Sequence, residues 1–545
     1  MQQAMWTITL TLALVTLPAP SGTQSGNRVD PIIQMIRAEA TESSELYSLA
    51  QVLMDAIGPR LTGSPEQMRA NQWATAIYRK WGIAARDEQY GTWKAWQRGT
   101  LHVDLIAPRM RSLEGMLFTW SAGTPGTVQG PVILFPDLKG REDFETWLPQ
   151  VRGNFVAVMA PEPTCRPDES WRESSRPDSF AQMQKDRAAA RQTWSARLRA
   201  PGLRGGELFL RLADAGALGA VVPLMWPQGW GVSKIGSAVT DRLPEIGLGC
   251  EDYGLIFRLA RHDQKPVLRV SADAAFLGEV PVSNVIAEMR GTELPHEYVI
   301  LSAHFDSWDA ASGATDNGAS TVAIMEAMRI LRAVYPKPKR TILAGHWNGE
   351  EQGLNGSRAF AADHRDVVEG IQALFNHDNG TGRVEAISLQ GFAGAGPIVR
   401  RWLSQLPSEI TAGIELIDPG TPERGTDNLA FTCHGAPAFG LHSVDWQYST
   451  YTWHTNRDTL DKLSIDDVQT NAMLFAMLAY LASEEPQRVP RQPRVTAADA
   501  KTGQPAPWPS CTPPARSSVE SGRYGNAPLS DEPRPRRRQF APSAG

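Results

Sequence analysis

Tyr298-Val299-Ile300-Leu301-Ser302-Ala303-His304-Phe305-Asp306 is the stretch whose reading decides the fold. Its apolar run has the length of a buried strand, and it ends in an imidazole and a carboxylate. Working outward, Val285 to Met289 reads as a strand before it, then come a helix from about Ala319 to Ala333, a strand from Arg340 to Gly345 and a closing helix near Ile465 to Ala482. This β-β-α-β order predicts an α/β fold: a mixed, mostly parallel central sheet with helices on both faces. Open sheets of this kind take ligands in the crevice beyond the carboxyl ends of their strands. Residues just past those ends are therefore the candidates for chemistry.

They are acids and imidazoles. His304 and Asp306 follow the first strand, Asp316-Asn317-Gly318 comes ten residues later before a helix, and Glu350-Glu351 follows the next strand. Phe375-Asn376-His377-Asp378 repeats the strand-then-acid pattern, and Trp453-His454-Thr455 adds a last imidazole. One such residue is usually only a hydrogen-bonding partner; five at one rim of one sheet are a ligand set. Nitrogen and carboxylate donors without sulfur favour zinc. Adjacent carboxylates leave an extended backbone in different directions, so one can bind metal while the other handles the proton of a water. Alternation places His304 and Asp306 on one side of the chain, where one ligates and the other orients.

Ser283-Asn284-Val285-Ile286-Ala287 with Tyr298 to Trp308, Ala314-Thr315-Asp316-Asn317-Gly318-Ala319, and Glu350-Glu351-Gln352-Gly353-Leu354-Asn355-Gly356-Ser357 together resemble the metal motifs of the M28 metallopeptidases. Thr426-Asp427-Asn428, Gly435-Ala436-Pro437-Ala438 and His454-Thr455-Asn456-Arg457-Asp458-Thr459 continue the likeness in the family's order. The resemblance implies a zinc exopeptidase fold holding two Zn2+ ions, one on His304, Asp316 and Asp378 and one on Asp316, Glu351 and His454. It further implies Glu350 as general base, Asp306 steering His304, a non-proline cis peptide after Asp316, and a short peptide as substrate. Gly58 to Ser64 and His304 to Asp309 are most similar to the carboxypeptidase Q branch, which implies a homodimer. The same resemblance makes the middle of the chain a protease-associated-like domain. One departure is Trp453, where some relatives have a Tyr whose hydroxyl steadies an oxyanion; Tyr448 and Tyr451 are in the same loop, and the donor stays open. So does the choice of peptide terminus. Two other readings stand beside the peptidase: a single-zinc acyltransferase of the glutaminyl cyclase type, and a catalytically silent binding homologue.

The chain of 545 residues is long enough for two folded domains and a tail. The expected division is a catalytic domain at 30–100 and 280–485, a β-rich insert at 101–279 and a disordered Pro/Arg-rich tail at 486–545. From Asp30 to Trp93 the pattern is helical, broken at Ile57 to Pro65, and Glu169 to Ala200 reads as a solvated surface helix. A net charge of -5 gives no basic field, which argues against nucleic acid as a partner. Met5 to Leu17 is apolar and is followed by small polar residues, so 1–26 reads as a signal peptide and the protein as secreted or periplasmic. No other run has the length of a membrane span, so no stable membrane insertion is expected. Cys165, Cys250, Cys433 and Cys511 have no paired spacing and are expected as buried thiols, with Cys165 and Cys250 the pair to join if any do. His346, His377 and His434 are read as packing residues or as neighbours that support the ligands, and the tryptophans Trp308 and Trp446 as core or rim packing, with the floor of a substrate pocket as the alternative.

Overall fold

The computed structural model describes residues 30–224, 229–498 and 503–520, so the expected signal segment lies outside the described residues. The chain begins with α1 (Pro31–Glu42) and α2 (Pro65–Lys80), the latter capped by the Ser64 hydroxyl, which accepts from Gln67 N–H. A long strand, β1 (Ala84–Ala107), leads into the inserted segment, which contains β2 (Val128–Leu134), β3 (Phe155–Ala157), α3 (Pro177–Arg199), β4 (Gly219–Pro223), β5 (Glu245–Leu248) and α4 (Cys250–Arg261). A second long strand, β6 (Val267–Met289), returns antiparallel along β1. Then follow β7 (Leu294–His304), α5 (Ala319–Val334), β8 (Arg340–Trp347), α6 (Asn355–Asp363), β9 (Ile371–His377), β10 (Val384–Ser388), β11 (Glu415–Ile417), β12 (Ala438–Ser443) and α7 (Ile465–Glu484).

The catalytic half of the sheet has the order β11-β10-β12-β9-β7-β8-β6. Strands β12, β9, β7 and β8 run parallel, while β6 and β10 are antiparallel to their neighbours β8 and β12. Successive side chains of a strand face opposite sides, and both sides here are covered. Val299, Leu301 and Ala303 of β7 pack with α1, α5 and α7, whereas Ile300 packs with Leu343, Leu374, Phe360 and Phe431 on the other face. Helix α5 is buried at every position from Ala319 to Leu331, which explains an apolar pattern with no polar stripe.

In the insert, β2, β3, β4 and β5 are parallel around a second core that includes Phe155, Val221, Ile246 and Tyr253, and β2 joins the long strand β6. Several expectations are corrected here. The helical reading ends at Lys80, because Ala84 to Trp93 pairs with Val280 to Glu288 and long-range strand pairing overrides local pattern. Residues 100/101 and 279/280 fall inside β1 and β6, so the two halves are joined by continuous strands. The insert holds more helix than strand. The surface helix is two helices, Asp168–Ser174 and α3, and α3 packs inward through Met183 and Trp194, whose Nε1 donates to Val158 O at 2.6 Å.

The cysteines are not thiols: Cys165 is joined to Cys250, and Cys433 to Cys511. The tail is corrected as well. Residues 486–498 and 503–520 wrap the catalytic half: Arg491 donates to Val368 O and Glu369 O at 2.8 and 2.7 Å, Trp508 Nε1 to Thr432 O at 3.0 Å, and Ala515 N–H to Asn355 Oδ1 at 3.0 Å. Guanidinium contacts to carbonyls and a disulfide replace the apolar burial whose scarcity suggested disorder; residues beyond 520 lie outside the described residues. No helix among the described residues is long and apolar enough to cross a membrane.

Candidate metal centre

Parallel register brings the acids together. Trp347 sits opposite His304 and Asn376 opposite Ser302, so Glu350, Glu351 and Asp378 emerge at the rim where β7 ends. The donor atoms of His304, Asp316 and Asp378 lie within 4.8 Å of one another, as do those of Asp316, Glu351 and His454. His304 Nε2 is 3.1 Å from Asp316 Oδ1 and 3.2 Å from Asp378 Oδ1, while His454 Nε2 is 3.1 Å from Asp316 Oδ2 and 3.0 Å from Glu351 Oε2. Asp316 thus gives one oxygen to each group. Its Oδ2 is buried and makes no hydrogen bond, the condition of an atom shaped for a cation. The Asp316–Asn317 peptide is cis.

Neighbouring residues fix these side chains. His304 Nδ1 is 3.0 Å from the main-chain carbonyl of Asp306 and 3.8 Å from its carboxylate, so Asp306 orients the imidazole through its backbone. The Asp306 carboxylate accepts from the N–H groups of Glu350 and Glu351 at 3.2 and 3.3 Å and from the Thr62 hydroxyl at 3.2 Å. Asp306 thus touches the imidazole it was expected to steer and, in addition, its short side chain spans the turn and sets the direction of both glutamates. Asp458 plays the equivalent part for the bridge, accepting from Thr315 N–H at 2.6 Å and Asp316 N–H at 3.0 Å. Trp308 Nε1 donates to Glu351 Oε2 at 2.8 Å. Buried Arg60 donates to the carbonyls of Gly58, Phe305, Ser312 and Gly313, tying the Ile57 to Pro65 turn to the loops carrying His304 and Asp316.

The electrostatics demand positive charge. Burial pulls the His304 imidazole down, yet Asp378, Asp306 and Asp316 hold it well above its ordinary range. Burial pushes Asp427 and Asp458 each up to about 7, and burial with Asp378, Glu351 and Asp427 raises Glu350. Seven carboxylates, including Asp306 and Asp316, crowd a site in which His304, His454 and Arg60 are the facing cations. Two divalent ions on the two donor groups would restore the balance and return Glu350 toward its ionised form. The residues present fit such ions.

The structure brings together all seven residues expected at the site, and adds three: Asp458, Arg60 and Asp427. Asp458 and Asp427 lay within quoted motifs, but a buried acid beside the donor groups, such as Asp458 on its two backbone amides, has no sequence signature distinct from a ligand. Arg60 was hidden in a turn read as punctuation. Trp453 stacks on His454, with ring centroids 4.3 Å apart, and Tyr448 is buried beside Gly380. His346 Nε2 is 2.7 Å from Tyr78 Oη, and His377 lies 2.7 Å from both Ser320 and Ser443, which occupies them away from the donor groups. The cleft beside the centre is lined by Ile235, Trp308, Gly313, Thr455 and Asp458.

Residues 284–479 match the family model for Peptidase family M28. Over 457 residues the chain is 24% identical to carboxypeptidase Q of Rattus norvegicus, spanning 82% of this chain and 86% of that protein. It is 23% identical to carboxypeptidase Q of Homo sapiens over 458 residues, again 82% of this chain and 86% of the relative. The crystal structure of a peptidase M28 precursor from Shewanella amazonensis superposes with a TM-score of 0.61 at 22% identity, covering 85% of this chain and 98% of that one, a likeness that speaks for the fold. Residues 284–479 are similar to the M28 peptidases, and the chain is a metallo-exopeptidase.

Proposed function

We propose that the protein hydrolyses dipeptides or short peptides with two zinc ions, one on His304, Asp316 and Asp378 and the other on Asp316, Glu351 and His454. The observation that carries this is the division of Asp316, one oxygen toward each donor group. When bound, the ions supply a water of lowered pKa and a polarised carbonyl. Glu350, held by the bond from its N–H to Asp306, takes the proton from the attacking water and delivers it to the leaving amine. Asp306 and Asp458 keep the glutamate pair and the bridging aspartate in place throughout. The two disulfides favour an oxidising compartment, in keeping with a secreted or periplasmic enzyme.

The test joins metal counting with turnover. Glu350→Gln is expected to bind two zinc ions per chain, as the wild type does, while peptide hydrolysis falls by orders of magnitude. Full hydrolysis by that variant would refute the assignment of the base, and one ion per chain with cyclisation of N-terminal glutamine would select the acyltransferase reading. N-acetylated and free dipeptides assayed side by side identify the terminus that is recognised.

A further inference from the structure

The turn that carries His454 is held by the inserted segment. Ile235 N–H donates to His454 O at 2.8 Å, and Asn456 N–H to Ser233 O at 3.1 Å. Ser233 N–H donates to Asn456 Oδ1 at 3.0 Å, and Lys234 and Thr455 form an antiparallel bridge. His454 has φ of 54°, a left-handed conformation that a non-glycine residue keeps only when its surroundings hold it there.

The side chains complete a stack. The Lys234 ammonium lies 3.5 Å from the centroid of the Trp453 ring and donates to Trp453 O at 3.2 Å. Trp453 lies against the His454 imidazole at 4.3 Å with the planes inclined by 30°, and Trp308 stands 5.9 Å away from the same imidazole. Lysine is half-buried here, where water competes less for its charge and the attraction to the indole face is stronger than at an open surface. The ammonium thus braces the indole against the imidazole whose Nε2 faces Asp316 and Glu351.

Resting on the two-ion reading above, we infer that Lys234 is a positioning residue for His454. It acts through Trp453 and makes the inserted segment part of the second ion's site. It touches neither ion nor substrate. The two consequences are a weaker second ion and a lower kcat, with KM little changed.

Lys234→Met keeps the length of the stem and removes the charge; Lys234→Arg keeps a cation over the ring. Metal-free protein is titrated with zinc against a competing chelator, and kcat and KM are measured separately. K234M is expected to hold the weaker of the two ions about tenfold less tightly, as loss of an orienting neighbour does at metal sites. K234R is expected to stay close to the wild type. In a Trp453→Leu background, itself weakened, K234M is expected to add nothing, because the two residues act as one unit. Wild-type metal affinity in K234M, an equal defect in K234R, or an undiminished K234M effect in the W453L background would each overturn the inference. If K234M does not fold, W453L replaces it, and unchanged zinc affinity in W453L overturns the inference too. A wild type that binds fewer than two ions defeats the two-ion reading itself, a result distinct from two ions held equally well by wild type and K234M.

Discussion

Arg60 is buried among four carbonyls and three acids, and burial lowers its guanidinium to about 10, against the pull of Asp458, Asp306 and Asp316. It stays charged at neutral pH and ties three loops with one planar group. A lysine has a single nitrogen and cannot reach four carbonyls in that fan. Arg60→Lys should therefore cost about 2–4 kcal/mol in urea-induced unfolding, because buried carbonyls lose their donors. A loss within error of zero would mean that water replaces the guanidinium. Glu245, buried in the inserted segment and in no donor group, offers a cleaner test of charge. Its Oε1 accepts from Val239 N–H at 2.7 Å and Thr240 N–H at 2.9 Å, yet burial dominates and lifts the carboxyl from 4.5 to about 8. A raised folded value means that stability is fully present below the unfolded value and is lost as pH rises through the folded one. Between about pH 4.5 and 8 the folded state binds the extra proton, so the wild type should lose stability relative to Glu245→Gln across this window, by a few kcal/mol in all. Parallel unfolding curves for the two proteins at pH 5 and pH 8.5 would reject this. The five proposed ligands and Glu350 were readable because chemistry confines their types and the strand pattern confines their places. Arg60 and Glu245 were not, because their roles depend on carbonyls and amides that only the folded backbone assembles.

At the scale of elements, the buried strands and α5 were legible from apolar runs of the right length, and the long strand β1 was not. Its residues alternate poorly, and pairing with β6 is what makes it extended. The C-terminal segment was misread for a related reason: composition reports the scarcity of core-forming residues but not a strap fastened to a finished surface. Cys433 and Cys511 close a separation of 78 residues, and Arg516 accepts at its carbonyl from Thr92 N–H at 2.9 Å while its guanidinium reaches Asp363 at 2.6 Å. In the chain-entropy view a cross-link of that length contributes roughly 4 kcal/mol. Ending the chain after Glu485 should lower stability toward urea by at least several kcal/mol and leave the proposed two-zinc stoichiometry intact, since none of the proposed ligands lies beyond that point. If truncation leaves unfolding unchanged, the strap is only lying on the surface.

The whole molecule is two cores joined by the continuous pair β1 and β6, with the metal centre placed where the inserted half leans back onto the catalytic half. Links that cross that junction near the site include the Ser233 to Ile235 bridge onto the His454 turn, the ion pair of Arg98 with Asp309 at 2.7 Å, and the Thr119 hydroxyl on Asp309. Asp309 adjoins Trp308, whose indole donates to the proposed ligand Glu351, so each link ends within one residue of a group that touches the proposed ion site or belongs to it. On the two-ion reading proposed above, ion binding and the contact between the two halves would be linked, because an ion held by His454 and Glu351 would order the turn whose carbonyl accepts from Ile235. On that reading, removing the ions would leave like charges facing one another across Asp316, which would push the turn and the inserted segment apart. Hydrogen exchange resolves this residue by residue, because protection falls where local opening becomes easier. After chelation the amides of Ile235 and Asn456 should exchange at least roughly tenfold faster, whereas those of α5, sealed within the catalytic core, should keep their protection. Equal acceleration everywhere would mean that the ions stabilise the fold globally, and no acceleration at Ile235 would mean that the two halves hold together without them.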